Sequence, residues 1–194
     1  MNYKKNKNKL TKYDIEDYSI QKNNNLKEIT KQMSKSGGFE SVNLIDGITI
    51  LQKMIAEPQC TNFLSFVGAI ISTGVRGIIK DMIKKNMFDC IITTCGALDH
   101  DLARSFVKYY AGNFNIDDYY LKKNNIHRLG NVFIPIENYG PLIESKIQEY
   151  INEFYKETKE FASYELLDFI GSKLEESSFY IGPTKTRFLL LSLE

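Results

Sequence analysis

Leu98-Asp99-His100-Asp101 sets two carboxylates on either side of an imidazole. An imidazole changes charge near neutral pH, and flanking carboxylates can hold a cation or tune a proton transfer. The same residues suit a plainer purpose, with Asp99 and Asp101 capping the start of a helix and His100 a surface passenger. Directly upstream runs Thr93-Thr94-Cys95-Gly96-Ala97, and farther upstream Gly68-Ala69-Ile70-Ile71-Ser72-Thr73-Gly74. Small side chains let a ligand approach the backbone, and amides at a helix start favour a phosphate. The two stretches are a candidate dinucleotide cradle, although no Gly-x-Gly-x-x-Gly is present. The same glycines would equally serve tight strand-to-helix turns. His127 lies in a separate polar segment, Lys122 to Arg128, so no Ser-His-Asp constellation assembles. Cys60, Cys90 and Cys95 form no Cys-x-x-Cys pair, and His100 and His127 are the only histidines. That leaves no close ligand pair for zinc, and the odd cysteine count points to a reducing, cytoplasmic compartment.

These residues need elements to position them. Asn62 to Val67 is a short apolar run read as a strand, and Val75 to Asn86 as a helix with Ile78, Ile79, Met82 and Ile83 inward. Phe88 to Thr93 is a second strand, followed by a helix over Leu98 to Tyr110. Asn131 to Pro135 is a third strand, and Glu137 to Thr158 and Ser163 to Glu176 are helices. Upstream, Ser41 is placed to cap a helix carrying Leu44, Ile48, Leu51 and Ile55 and ending at Glu57-Pro58. Residues Met1 to Lys35 are polar, with helical character over Leu26 to Met33. Strands alternating with helices predict an α/β fold, a parallel sheet flanked by helices. In such sheets ligands bind outside the carboxyl ends of the strands, where both small-residue turns fall.

Composition sets the outer bounds. The chain has 194 residues, 43% of them hydrophobic and 25% charged, enough to build a core. Net charge is +1, from 25 basic and 24 acidic residues, which does not suit a nucleic-acid binder. The apolar runs are short, so no membrane span is expected.

Several linked segments resemble one known family. They are Phe63-Leu64-Ser65-Phe66 with Ser72-Thr73-Gly74-Val75-Arg76-Gly77, the run from Met87 through Arg104, and the run from Ile126 through Tyr139. Ser36-Gly37-Gly38-Phe39 also fits. Together they resemble deoxyhypusine synthase, in order over about Ser36 to Tyr180. The Leu-Asp-His-Asp form is similar to the archaeal branch. The resemblance implies a Rossmann-like, NAD-dependent, cytoplasmic homotetramer that moves the aminobutyl group of spermidine onto a lysine of a translation initiation factor. In that reaction NAD oxidises spermidine to an imine, and an enzyme lysine captures the butyl fragment. The fragment passes to the acceptor lysine and is reduced by the same NADH. Gly68, Ala69, Ile70, Ile71 and Ser72, with Thr94, Cys95 and Gly96, fall where the family contacts NAD. Asp99 and His100 fall near NAD and spermidine, His100 replacing a carboxylate of the eukaryotic branch.

The family's nucleophilic lysine lies in a C-terminal part with which nothing here aligns, so no catalytic residue is assigned in this chain. The fold is therefore expected to be incomplete, with residues 1–35 an arm, 36–180 the family portion and 181–194 an aberrant tail. An unpaired sheet edge and an uncovered apolar run, Phe188 to Leu191, should follow. The tail is either a genuine divergent C-terminus or the product of a frameshift, and the coding favours the frameshift. Phe179 to Phe188 can be coded TTC TAT ATT GGG CCT ACA AAA ACA AGA TTC. Read from the last base of the Tyr180 codon, it gives Tyr-Trp-Ala-Tyr-Lys-Asn-Lys-Ile, the pattern the family continues with. Sequencing the locus tests this, since a downstream frame should encode the rest. Two other functions fit the same residues: a non-catalytic regulatory paralogue, and a homospermidine synthase whose acceptor is a small amine.

Overall fold

The computed structural model describes Thr11, residues 13–174 and the strand Arg187–Leu191, with Ser163 and that strand described by their backbone. The chain divides into two compact units, Met1–Cys60 and Thr61–Glu194.

In the first unit, α1 (Leu26–Met33) starts at Asn25, whose side chain accepts from the Glu28 amide while Glu28 reaches back to the Asn25 amide. The second helix, α2 (Phe39–Ala56), begins earlier than Ser41, with Gly38 at its N-cap. Ser41 sits inside the first turn, where its hydroxyl donates to the Gly38 carbonyl at 2.5 Å. The Gly37-Gly38 corner explains the shift, because Gly37 adopts φ 62° and can turn the chain where a side chain would be strained. Of the α2 apolar positions, Ile45 is buried, Ile48 and Leu51 are half-buried, and Leu44 and Ile55 are exposed.

The second unit opens with β1 (Phe63–Phe66), a 3-10 turn over Gly68–Ser72, α3 (Val75–Lys84) and β2 (Cys90–Thr94). The two strands run parallel, Phe63 opposite Cys90 and Phe66 opposite Thr93. They are locked at their start by the Asn62 amide donating to Asp89 Oδ2 at 2.8 Å and the Asp89 amide donating to the Asn62 carbonyl. The fold is thus α/β with a parallel sheet flanked by helices. Within α3, Ile79 and Ile83 are buried, whereas Ile78, expected inside, is exposed.

The third strand of this sheet is not the one the sequence suggests. Val132–Pro135 forms β5 of a separate antiparallel sheet with β3 (Tyr110–Ala111) and β4 (Ile126–Leu129). Only two residues, Gly130 and Asn131, separate β4 from β5. A loop that short can join antiparallel strands alone, and Gly130 supplies the positive φ of 61°. A short helix, α5 (Asp118–Lys123), precedes β4, and its Asp118 holds the Arg128 guanidinium by two bonds of 2.6 and 2.9 Å.

The second edge of β2, expected to be unpaired, carries β6 (Arg187–Leu191) in parallel register from Cys90↔Arg187 to Thr94↔Leu191. An apolar run next to unpaired amides and carbonyls satisfies both needs at once. Residues 175–186 and 192–194, including the end of the helix expected to Glu176 and most of the tail, lie outside the described residues.

Around the sheet, α4 (Gly96–Phe106) follows β2, then a 3-10 turn (Ile136–Asn138), α6 (Gly140–Glu157) and α7 (Ser163–Ser172) follow β5. Leu102 of α4 packs with Tyr150, Ile170 and Leu174 in a buried cluster. That packing fixes α4, and with it everything the second turn presents.

Candidate functional site at the carboxyl edge of the parallel sheet

Both small-residue turns sit at the carboxyl ends of β1 and β2, and they touch. The Gly68 amide donates to Thr94 Oγ1 at 2.9 Å. A Cβ added at Gly68 would lie 2.2 Å from the Ala97 nitrogen and 2.5 Å from the Gly96 carbonyl carbon. Gly68 is therefore required by the second turn itself. Next to it, Thr93 Oγ1 donates to the Phe66 carbonyl at 2.8 Å. The first turn folds on itself, Ser72 Oγ donating to the Ala69 carbonyl and Thr73 Oγ1 to the Ile70 carbonyl, each at 2.7 Å.

Of the residues singled out in the first turn, Gly68, Ile71 and Ser72 are buried, and Ala69 and Ile70 are half-buried. In the second, Thr94 and Gly96 are half-buried and Cys95 is exposed. A Cβ at Gly96 would meet nothing nearer than Thr94 Oγ1 at 3.9 Å, so this face is open to a ligand. The structure thus brings the two turns together but gives them different surfaces. The first is mostly internal scaffold and the second mostly reachable backbone.

Thr94→Val tests the link between them. It removes the acceptor from a buried N–H, which costs about 1–2 kcal/mol, while Thr94→Ser keeps the bond and should stay near the parent stability. Urea denaturation followed by circular dichroism measures both.

Asp99, His100 and Asp101 open α4 and diverge in role. Asp101 is buried, and its Oδ1 accepts from Arg76 Nε at 2.6 Å, an ion pair joining α3 to α4. Arg76 Nη2 also donates to Ser105 Oγ at 3.1 Å. Asp101 therefore holds a cation of the chain itself and does not cap the helix, whose N-cap is Cys95. His100 is no surface passenger either. It is 7% exposed, its Nδ1 is 3.1 Å from the Tyr109 hydroxyl, and its ring lies 5.2 Å from that of Tyr139. Asp99 is half-buried, accepts from the Tyr139 hydroxyl at 3.4 Å, and has no ion-pair partner among the described residues.

Burial raises the Asp99 pKa above the usual carboxylate value, against the opposing effect of the Tyr139 hydrogen bond. Tyr139 is pushed up to about 12 by its own burial and then by the Asp99 charge. Tyr109 is raised as well, first by burial. For His100, burial and then the Arg104 charge lower the pKa from the ordinary 6.5.

The sign of the His100 effect is definite. An imidazole harder to protonate in the fold than in the unfolded chain contributes full stability above the unfolded pKa and loses it as pH falls from there toward the folded pKa. Stability should decline as pH is lowered below about 6.5, with a slope of at most about 1.4 kcal/mol per pH unit from this group. His100→Gln should flatten that part of the profile in urea titrations run across the range.

Tyr109, Tyr139, Arg104 and Arg76 were not singled out by type and spacing. They come from different elements and meet only through the fold. Among the described residues no three His, Cys, Asp or Glu side chains gather as a metal site requires, and no helix is long and apolar enough to cross a membrane.

A parallel α/β unit with paired small-residue turns at its carboxyl edge has the architecture in which ligands bind at that edge. The family model of deoxyhypusine synthase matches residues 28–187, so the chain belongs to the deoxyhypusine synthase family. It is 43% identical over 182 residues to a "Probable deoxyhypusine synthase" of Picrophilus torridus, covering 93% of this chain and 58% of that protein. The protein of the same name from Thermoplasma volcanium is 44% identical over 164 residues, covering 84% of this chain and 53% of the other. The chain thus spans little more than half the length of these relatives. A solved structure, a "putative deoxyhypusine synthase" from Entamoeba histolytica, shares the fold at a TM-score of 0.53 and 21% identity, over 85% of this chain and 57% of that one.

Proposed function

We propose that this chain is the cofactor-holding N-terminal part of a deoxyhypusine synthase, an NAD-dependent transferase that places the aminobutyl group of spermidine on a lysine of a translation initiation factor. The observation that carries the reading is the apposition of the two turns through Gly68 and Thr94, beside a carboxylate, Asp99, with no ion-pair partner among the described residues. The second turn fits a dinucleotide, because Cys95 is exposed and the Gly96 face is open to close backbone approach. When bound, NAD supplies hydride acceptance and return. Thr94, Cys95 and Gly96, with Ala69 and Ile70, provide the surface that holds it, and Gly68, Ile71 and Ser72 set the shape of the first turn. Asp99, oriented by Tyr139, offers its charge to a spermidine ammonium. His100, enclosed by Tyr109 and Tyr139, forms the wall of that subsite.

On this reading residues 36–180 are the family portion, 1–35 an arm and 181–194 an aberrant tail, and the whole enzyme is a cytoplasmic homotetramer. One wall of a dinucleotide site leaves most of the ligand in solvent. The 194-residue chain alone should bind NAD weakly and turn over no spermidine. Micromolar NAD affinity by calorimetry on that chain would overturn the half-site reading.

Activity is tested on residues 1–180 joined to the remaining C-terminal part of the Picrophilus torridus relative, given NAD, labelled spermidine and the initiation factor. Label on the factor's lysine is the expected result. Label on added putrescine instead of protein would mean a homospermidine synthase. Activation of a whole relative by this chain, with no transfer of its own, would mean a regulatory subunit.

A further inference from the structure

We propose that Arg104 is the positioning residue of the first turn, holding its closing carbonyls in place from the helix that follows the second turn. The inference rests on the dinucleotide-site reading for its functional meaning, and on geometry for its substance. Arg104 Nη1 donates to the Ile71 carbonyl at 2.7 Å and to the Thr73 carbonyl at 2.5 Å. Both carbonyls lie at the end of the 3-10 turn, between the last reachable residue, Ile70, and the start of α3.

The turn is thus held at both ends from the other strand's connection. Thr94 takes the Gly68 amide at its start, and Arg104 takes the two carbonyls at its end. A 3-10 turn has poorer hydrogen-bond geometry than an α-helix and relies more on such outside partners. Both bonds use the two hydrogens of one nitrogen, a charge-assisted fork fixed in the guanidinium plane, whereas the hydrogens of a lysine ammonium rotate freely. The guanidinium carbon also lies 5.9 Å from the centre of the Tyr109 ring, and Tyr109 in turn meets His100. One side chain therefore sets the first turn and backs the tyrosine that holds the imidazole after the second. A cleft of about 290 Å³ opens at this place, lined by Ser72, Gly74, Arg104, Tyr109 and Asn131.

Amide hydrogen exchange on the full 194-residue chain, without NAD, tests the role. Arg104→Met keeps the apolar stem and removes the fork. Exchange at the Ile70 and Thr73 amides should quicken by about tenfold, with β1, β2 and α4 little changed. Millimolar guanidinium chloride, far below denaturing strength, should restore their protection, and equal sodium chloride should not. Arg104→Lys should recover it only in part. Uniform acceleration across β1, β2 and α4 with no guanidinium rescue would mean a general structural role and overturn the proposal, as would unchanged exchange at the turn. Because no cofactor is present, this outcome is independent of whether NAD binds, which calorimetry decides separately.

Discussion

Gly68→Ala should prevent the second unit from reaching its native packing, lowering stability by about 3 kcal/mol or more. The added Cβ would stand 2.2 Å from the Ala97 nitrogen and 2.5 Å from the Gly96 carbonyl carbon, both backbone atoms of the opposing turn. Backbone cannot rotate aside as a side chain can, so the turns must part. Parting them also breaks the bond from the Gly68 amide to Thr94. A loss of that size is a large share of what a domain this small commands. Gly96→Ala is the matched comparison, since its Cβ would meet Thr94 Oγ1 only at 3.9 Å. It should cost under about 1 kcal/mol, because alanine is the better helix former at this helical position. In the longer chimaera it should weaken NAD binding while leaving stability intact. Equal urea midpoints for the two variants would show that the turns are not apposed.

Asp101→Asn should be the second most damaging change, at about 3 kcal/mol. Asp101 is 1% exposed and Arg76 12% by side chain, so the pair is shielded from water on both sides. Removing one charge leaves the other uncompensated in a poorly solvating place. The double variant Arg76→Met/Asp101→Leu should regain much of the loss, because two apolar side chains of similar volume remove both charges. With the single variants Arg76→Met and Asp101→Leu, the double-mutant cycle from urea denaturation gives the coupling directly. A double variant no more stable than Asp101→Asn would mean that Asp101 acts chiefly through partners other than Arg76.

Much of the local structure was legible in the residues. Leu26–Met33 is a full helix where only helical character was expected in a polar arm, and β1, α3 and β2 lie within about two residues of expectation. The helix expected to reach Tyr110 stops at Phe106, and Tyr110 starts a strand. The β4–β5 hairpin had a signal, the turn pair Gly130-Asn131 directly ahead of the apolar run Val132-Phe133-Ile134, which counts for more than the alternation of strands and helices that suggested a parallel partner. The site was legible as two turns and an acidic helix start. Its internal division of labour was not, because Asp99, His100 and Asp101 are adjacent in sequence but point from a helix into three environments.

By itself, then, the sequence determined where β1, β2, β5 and the longer helices form, where the chain must be small, and to which family it belongs. Those properties rest on periods of two and 3.6 residues, on glycine's freedom and on linked motifs, all readable along the chain. Tertiary structure alone decided that Arg187–Leu191 covers the edge of β2 and that Val132–Pro135 leaves the parallel sheet. It also decided that Arg76 neutralises Asp101, and that Arg104, Tyr109 and Tyr139 gather around the two turns. The reason is that a strand's side-chain alternation is the same whichever partner it pairs with, and a polar side chain's role depends on which distant group shares its burial. The polar roles are settled by contacts between residues 25 to 40 apart in sequence, as between Arg76 and Asp101 or Asp99 and Tyr139, and the outer partner of β2 by a pairing of residues 97 apart, Cys90 with Arg187.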